Sequence, residues 1–146
     1  MSNTIYPSAP RVAVGAVVLH ENKVLLVLRG KAPAKDTWAI PGGSVNLGET
    51  LQAAAEREVL EETGLYIKAG KVIYTFDAIY RDPAGRVQYH YVILDLIATL
   101  TDPSQLPRPA DDARDVGWFE LADIERVDVP ISATTRELLR ELYKAK

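Results

Sequence analysis

The segment from Thr50 to Thr63, TLQAAAEREVLEET, constrains the fold of this chain more than any other stretch. Most of its residues are strong helix formers. Thr50 is suited to cap the first turn, and Gly64 is suited to end the helix in the left-handed conformation. The segment therefore predicts a helix that begins near Thr50 and ends at Gly64.

Strand-like segments lie on both sides of this helix. Residues 11–19 and 24–29 are rich in β-branched residues and leucine, and a short polar stretch separates them, which predicts an antiparallel hairpin. Two long segments after the helix are joined by Asp82-Pro83-Ala84-Gly85, a turn signal. The remaining expected elements are long strands at 65–81 and 86–100, a proline-rich loop at 101–114, a strand near 116–119 and a helix near 132–143.

These elements predict an α/β chain in which helices cover the faces of a mixed sheet. A length of 146 residues is typical of one domain, so residues 1–146 are expected to fold as a single unit. The net charge of -3 offers no general attraction to long nucleic acids or anionic membranes. The absence of cysteine excludes disulfides and thiol catalysis, and it fits a reducing compartment, so the cytoplasm is the expected location.

Three glutamates of the predicted helix share one side of it. Glu58 and Glu62 are separated by four residues, and Glu61 is three residues from Glu58, so the carboxylates fall within a wedge of roughly 100°. A hard divalent cation would relieve their repulsion, because Mg²⁺ prefers carboxylate and water oxygens. The spacing favours a Mg²⁺ or Mn²⁺ site over the alternative of a solvated acidic face.

Residues 43–65 resemble the complete signature of the Nudix hydrolase family, the Nudix box. The matching positions are Gly43, Glu49, Arg57-Glu58-Val59, Glu61-Glu62 and Gly64-Leu65. The resemblance implies an α/β/α sandwich in which the box forms a loop, a helix and a second loop. It also implies hydrolysis of a diphosphate linkage in a small nucleotide substrate with Mg²⁺ or Mn²⁺ as cofactor.

The resemblance also implies roles for individual residues. Glu58 and Glu62 are similar to direct metal ligands, Glu61 to a ligand directly or through water, and the Gly42 carbonyl to a backbone ligand. The guanidinium of Arg57, together with Glu49, would orient these carboxylates. The predicted catalytic residues are Arg57, Glu58, Glu61 and Asp112.

Asp112 is the first choice for the carboxylate that activates water, because family members often place this group shortly before a late tryptophan, here Trp118. Glu120, Asp115, Asp111 and a box glutamate are the alternatives. An ordinary turn-forming aspartate is the competing interpretation of Asp112, since aspartate favours turns.

Substrate contacts are expected from Arg29, whose guanidinium would hold a phosphate, and from Arg81 and Trp38. Residues 80–86 are similar to a hairpin found in some ADP-ribose pyrophosphatases of the family. ADP-ribose or a related nucleotide sugar is the first expectation, and an ordinary or oxidised nucleoside triphosphate is the alternative. A non-catalytic nucleotide-sensing module is the alternative from another class, although the intact box argues against it. We also expect a homodimer.

Overall fold

The computed structural model describes residues 5–145. Its elements follow the order expected from the sequence. They are β1 (Arg11–His20), β2 (Lys23–Arg29), β3 (Trp38–Ala39), β4 (Gly42–Ser44), α1 (Leu51–Thr63), β5 (Ile67–Arg81), β6 (Val87–Leu100), β7 (Ala113–Glu120), a 3₁₀ turn (Leu121–Asp123) and α2 (Ala133–Lys144).

Helix α1 begins and ends where the sequence predicts. The Thr50 side chain accepts a hydrogen bond from the amide of Ala53, and Gly64 takes a left-handed φ of 74° while its amide donates to the carbonyl of Leu60. Both caps satisfy backbone groups that a helix end would otherwise leave unpaired. The predicted boundaries of this helix are confirmed.

The sheet changes partners along strand β1. Near the turn, β1 pairs antiparallel with β2 at Leu19 and His20, but at Ala13 to Gly15 the same edge of β1 pairs with β4 instead. On its other edge β1 runs parallel to β6, which pairs antiparallel with the long strand β5. Strand β2 continues away from β1 and pairs with β3 and β7. The sheet therefore splits, and β1 belongs to both parts.

Apolar side chains alternate between two cores on opposite faces of this sheet. The first core lies beneath α1 and the second beneath α2. Val14, Ala16 and Val18 of β1 join the first core, whereas Val17 joins the second with Leu138 of α2. Residues that alternate along a strand point to opposite faces, which explains the division. The predicted mixed sheet with helices on its faces is confirmed.

Helix α2 and the two shortest strands test the limits of the sequence pattern. Helix α2 was expected near residues 132–143, and Ser132 caps its first turn by accepting from the amide of Thr135. Strands β3 and β4 were not predicted, because two or three residues carry no periodicity and their pairing partners are distant in sequence. Strand β7 begins at Ala113, earlier than expected.

Within residues 5–145 no helix is long and apolar enough to cross a membrane.

Candidate active site

A cavity of about 560 Å³ opens where β2 leaves β1. Its walls come from β1, β2, β4, β5 and β6, from one side of α1, from the first turn of α2 and from the loops around residues 30–34 and 111–113. This volume is typical of a site for a small molecule. Several residues that the sequence associates with chemistry line this one cavity, namely Arg29, Gly42, Glu58, Glu62, Asp111 and Asp112.

Glu58 and Glu62 project from α1 into the cavity. The Glu62 side chain is buried, and its Oε1 accepts a hydrogen bond of 3.3 Å from the Gly42 amide. Burial and the neighbouring charge of Glu58 raise the pKa of the Glu62 carboxyl to about 8. Burial also raises the pKa of Glu58, although Arg57 opposes that shift. Two desolvated carboxylates that repel each other are the donor set that a hard cation stabilises.

Gly42 and Gly43 are required for close packing rather than for a turn. The sequence suggests a sharp turn here, but both residues lie in strand β4 and neither has a positive φ. A Cβ on Gly42 would lie 2.1 Å from the carbonyl oxygen of Val14, and a Cβ on Gly43 would lie 2.5 Å from the Glu58 carboxylate. The glycines therefore serve to bring β4 against β1 and against α1.

Gly43→Ala should impair catalysis with little loss of stability. The added methyl must displace the Glu58 carboxylate, which is the far end of a flexible side chain, so we expect kcat to fall at least about tenfold. Gly117→Ala in β7 is the matched control, because its Cβ would make an ordinary 3.6 Å contact with Phe119. Steady-state kinetics and thermal melts of both variants check the prediction, and equal activities in the two would contradict it.

Arg57 ties the carboxylates of the box together. Its guanidinium makes a bidentate pair with Glu49 at 2.6 and 3.0 Å, and it also donates to Glu58 at 2.9 Å and to Glu61 at 2.7 Å. A further bond of 2.9 Å reaches the carbonyl of Ser44. Hydrogen bonds from Arg57 and Asn46 lower the pKa of Glu49. The geometry fits the orienting role that the sequence suggests for Arg57 and Glu49.

Glu61 does not join Glu58 and Glu62 in the cavity. Its carboxylate binds Arg57, and 41% of its side chain is exposed. Among residues 5–145 no group of three or more His, Cys, Asp or Glu side chains is close enough to form a complete metal site. Glu61 thus stays close to Glu58, with which it shares one nitrogen of Arg57 and whose pKa its charge raises, but it does not line the cavity. Mg²⁺ commonly takes one or two carboxylates and keeps several waters, so Glu58 and Glu62 still fit it.

The loop before β7 is fixed to the end of α1. The amides of Arg108 and Ala110 donate to the carbonyls of Thr63 and Glu62 at 2.8 and 2.9 Å. This attachment brings both Asp111 and Asp112 to the wall of the cavity.

Asp111 and Asp112 differ in their surroundings. Asp112 forms a 2.9 Å ion pair with Lys31, whereas the charge of Asp111 contributes to the raised pKa values of both Glu58 and Glu62. The charge of Asp111 therefore acts on the acidic pair, whereas Asp112 is engaged with Lys31. Two other sequence candidates lie outside the cavity: Glu120 pairs with Lys23, and Asp115 accepts a bond from the amide of Val116.

Two cations line the same cavity. The Nε of Arg29 donates to the carbonyl of Pro33 at 2.8 Å, and the charge of Arg29 lowers the pKa of Glu62, which indicates its proximity to the acidic pair. Lys31 also lines the cavity, and the sequence reading missed it. Its position two residues after Arg29, where β2 ends, was the available signal.

Trp38 and Arg81, the other expected substrate contacts, do not line the cavity. The Trp38 ring packs edge-on against Phe119 with centroids 5.1 Å apart, as part of the core beneath α2. Arg81 is exposed and donates to the carbonyl of Gly85 within its own hairpin. Neither placement supports the expected role, because Trp38 is engaged in core packing and Arg81 is bound within its own hairpin.

Asp95 is a cavity residue that the sequence reading also missed. It lies in β6 with 1% of its surface exposed, and its Oδ2 has no hydrogen-bond partner among the described residues. Burial raises the pKa of its carboxyl to about 7. The signal was a lone acidic residue in the otherwise apolar run YVILDLIATL.

Asp95→Asn should stabilise the metal-free protein more at pH 8 than at pH 5. The folded pKa of Asp95 is about 7 against an ordinary 3.8. The folded state therefore holds a proton that the unfolded state releases between these values, and stability falls as pH rises through that window. The neutral variant lacks this loss, so its Tm advantage should grow by about 5 °C from pH 5 to pH 8. Thermal melts across pH check this, and parallel profiles would contradict it.

Comparison with known proteins agrees with this fold. The family model of the NUDIX domain matches residues 9–142. An ADP-ribose pyrophosphatase of Methanocaldococcus jannaschii is 36% identical over 118 residues, which cover 81% of this chain and 66% of that protein. The chain spans less than two thirds of the length of this relative and of other curated relatives that it matches.

Solved structures show the same arrangement. A MutT NUDIX hydrolase from Burkholderia pseudomallei superposes with a TM-score of 0.71 at 29% identity, covering 92% of this chain and 99% of that chain. A bifunctional NMN adenylyltransferase/ADP ribose pyrophosphatase from Francisella tularensis, complexed with AMP and a Mn ion, superposes with a TM-score of 0.69 at 26% identity. That match covers 94% of this chain and 42% of the other.

The fold and the site thus define a Nudix-type α/β/α sandwich, as the sequence predicts. The chain belongs to the NUDIX domain family.

Proposed function

We propose that this protein hydrolyses a diphosphate bond in a nucleotide-sugar substrate, ADP-ribose first among them, with a divalent metal ion as cofactor. One observation carries the proposal. A single cavity brings the half-buried Glu58 and the buried Glu62 together with the cations Arg29 and Lys31. Carboxylates that bind a hard cation, beside cations that bind phosphate oxygens, match the needs of diphosphate hydrolysis.

Each side chain has a defined task in this mechanism. Glu58 and Glu62 would hold Mg²⁺ or Mn²⁺ with the Gly42 carbonyl, and the ion when bound would polarise the phosphate and lower the pKa of water. Arg57 keeps the Glu58 carboxylate in one orientation through its own pairing with Glu49. Asp111 accepts the proton of the attacking water, and Arg29 and Lys31 neutralise charge on the phosphates.

Two observations support ADP-ribose as the substrate. The relatives named above include two ADP-ribose pyrophosphatases, one of them in a complex with AMP. The cavity of about 560 Å³ also extends from the acidic pair along an aromatic wall of β5 and β6, which gives room for a second sugar or a base. A nucleoside triphosphate could use the same phosphate contacts, so it is the second candidate. The products of the reaction distinguish the two substrates.

Activity should require a divalent metal, and the products should identify the substrate class. We expect turnover of ADP-ribose to AMP and ribose 5-phosphate with Mg²⁺ or Mn²⁺, and a loss of at least about 10²-fold in EDTA that either ion reverses. The products are measured by chromatography after incubation with each member of a panel of ADP-ribose, sugar nucleotides, nucleoside triphosphates and dinucleoside polyphosphates. Full turnover in EDTA would exclude the metal mechanism. Absence of turnover on the whole panel, with ligand binding intact, would favour the sensing module.

Two expectations from the sequence stay predictions. These are the homodimer, for which light scattering at micromolar concentration is the measurement, and the cytoplasmic location.

A further inference from the structure

The carboxyl of Asp95 is a polar group in an apolar part of the cavity. It lies on the side of the sheet that faces α2, in a row with Gly15 of β1 and Tyr74 of β5. The residue is 1% exposed, lines the cavity, and carries an Oδ2 with no hydrogen-bond partner among residues 5–145. An unpaired buried carboxyl is costly, and its presence beside a cavity indicates that a ligand supplies the missing donor.

The neighbouring strand makes room for this carboxyl because residue 15 is a glycine. A Cβ on Gly15 would lie 2.3 Å from Oδ1 of Asp95 and 2.7 Å from Cδ1 of Ile40. The carboxyl is therefore confined between β1 and the 40–42 segment. Because Gly15 pairs with Gly42 on its other side, this confined group sits two strands, or roughly 10 Å, from the segment that faces the acidic pair.

A flat, largely apolar surface adjoins Asp95. The next row of residues on the same sheet face contains Phe76 and Ile93, which are paired across β5 and β6. Both line the cavity. Successive rows on one strand face are about 6.6 Å apart, since each residue advances the strand by about 3.3 Å. A purine that lies against Phe76 and Ile93 therefore extends its edge to the Asp95 carboxyl.

We propose that Asp95 binds the amino-bearing edge of a purine base of the substrate, by accepting a hydrogen bond from its exocyclic N–H. Bases are commonly recognised by stacking on aromatic faces together with hydrogen bonds to their polar edge. A ribose is the less suitable occupant, because its hydroxyls would be left against Phe76 and Ile93. This inference rests on the proposed function and identifies the part of the nucleotide that the cavity selects.

The test compares one pair of substrates across Asp95 variants. ADP-ribose and its hypoxanthine analogue share both sugars and the diphosphate, but the analogue lacks the exocyclic amino group. We expect the wild-type protein to favour ADP-ribose at least tenfold in kcat/KM. In Asp95→Ala this preference should fall below about twofold, mainly through loss on ADP-ribose. Combining the substitution of Asp95 with the removal of the amino group from the substrate gives a double-mutant cycle, which isolates the contact between these two groups.

Further variants separate the contact from a structural effect. Asp95→Leu, which fills the space without a polar atom, should behave as Asp95→Ala does. Asp95→Asn should recover part of the preference, because the amide keeps an acceptor oxygen. Asp77→Asn is the matched control, since this exposed aspartate of β5 lies on the opposite sheet face.

The outcomes are distinct. Three results would each overturn the inference. The first is a preference for ADP-ribose that persists in Asp95→Ala and Asp95→Leu, the second is no preference in the wild type, and the third is an equal loss of kcat/KM on both substrates. Failure of the proposed function is recognised separately, as a lack of turnover of either substrate. In that event, calorimetric binding of ADP-ribose and of its hypoxanthine analogue in EDTA still decides the inference by the same criteria.

Discussion

Glu58→Gln and Glu62→Gln are each expected to lower kcat by at least about 10²-fold and to raise the Mg²⁺ concentration needed for half activity. The reason is their shared position in the cavity, where the two carboxylates are the acidic groups of α1 that face the space beside Gly42 and Gly43. Activity measured across a Mg²⁺ titration gives both parameters. Loss of kcat without any change in metal dependence would contradict a ligand role.

Glu61→Gln is the comparison on the same helix. The Glu61 carboxylate contacts Arg57 and does not line the cavity, so we expect its kcat to fall by less than about tenfold. An effect as large as that of Glu62→Gln would show that Glu61 turns toward the metal during catalysis.

Thermal melts should find metal-free Glu62→Gln at least as stable as the wild type, because the change removes a desolvated carboxyl. A strongly destabilised variant would mean that Glu62 has a structural role.

Asp111→Asn is expected to lower kcat by about 10²- to 10⁴-fold while the metal dependence changes little, as for a residue that accepts a proton from water. The charge of Asp111 raises the pKa of both Glu58 and Glu62, and Asp111 lines the same cavity, which is why we propose it as the proton acceptor. Asparagine tolerates the left-handed φ of 54° at this position, so backbone strain should not confuse the result.

Asp112→Asn is the matched control, one residue further along the same loop. It removes the ion pair with Lys31 at the cavity wall, for which we expect a loss of less than about tenfold, chiefly in KM. Steady-state kinetics of both variants distinguish the two aspartates. A larger effect at Asp112 than at Asp111 would restore the interpretation that the sequence favours, and equal activity in both variants would assign the base to a glutamate of α1.

Local signals in the sequence predict most of the fold. The caps of α1 at Thr50 and Gly64, and the turn between β5 and β6, depend on residues that are neighbours in the chain, and the structure confirms them. Strands β3 and β4 could not be found in this way. Each is defined by a partner strand far away in sequence, and neither is long enough to show a repeating pattern.

Part of the candidate site could likewise be predicted from the sequence, and part of it could not. The family resemblance implies that Arg57 and Glu49 orient the carboxylates of the box, but the sequence cannot show that Arg57 also binds Glu61, which does not line the cavity. The placement of Asp111 depends on hydrogen bonds between the 101–112 loop and the end of α1. Asp95 was visible as a charge within an apolar strand, yet its approach to the cavity depends on Gly15 in a different strand.

The exchange of partners along β1 places the 30–34 loop and the acidic pair on different walls of one cavity. The chamber is closed on one side by the segment 30–34, a surface loop between β2 and β3, whereas α1 and β4 hold the acidic pair from the other side. Loops of this kind accept changes of length and sequence more readily than paired strands do. We therefore expect that exchange of residues 32–36, which leaves Lys31 in place, would change which nucleotides are accepted while leaving the proposed metal requirement intact. The acidic pair is held by regular secondary structure, whereas the opposite wall of the cavity is a loop that can change more freely.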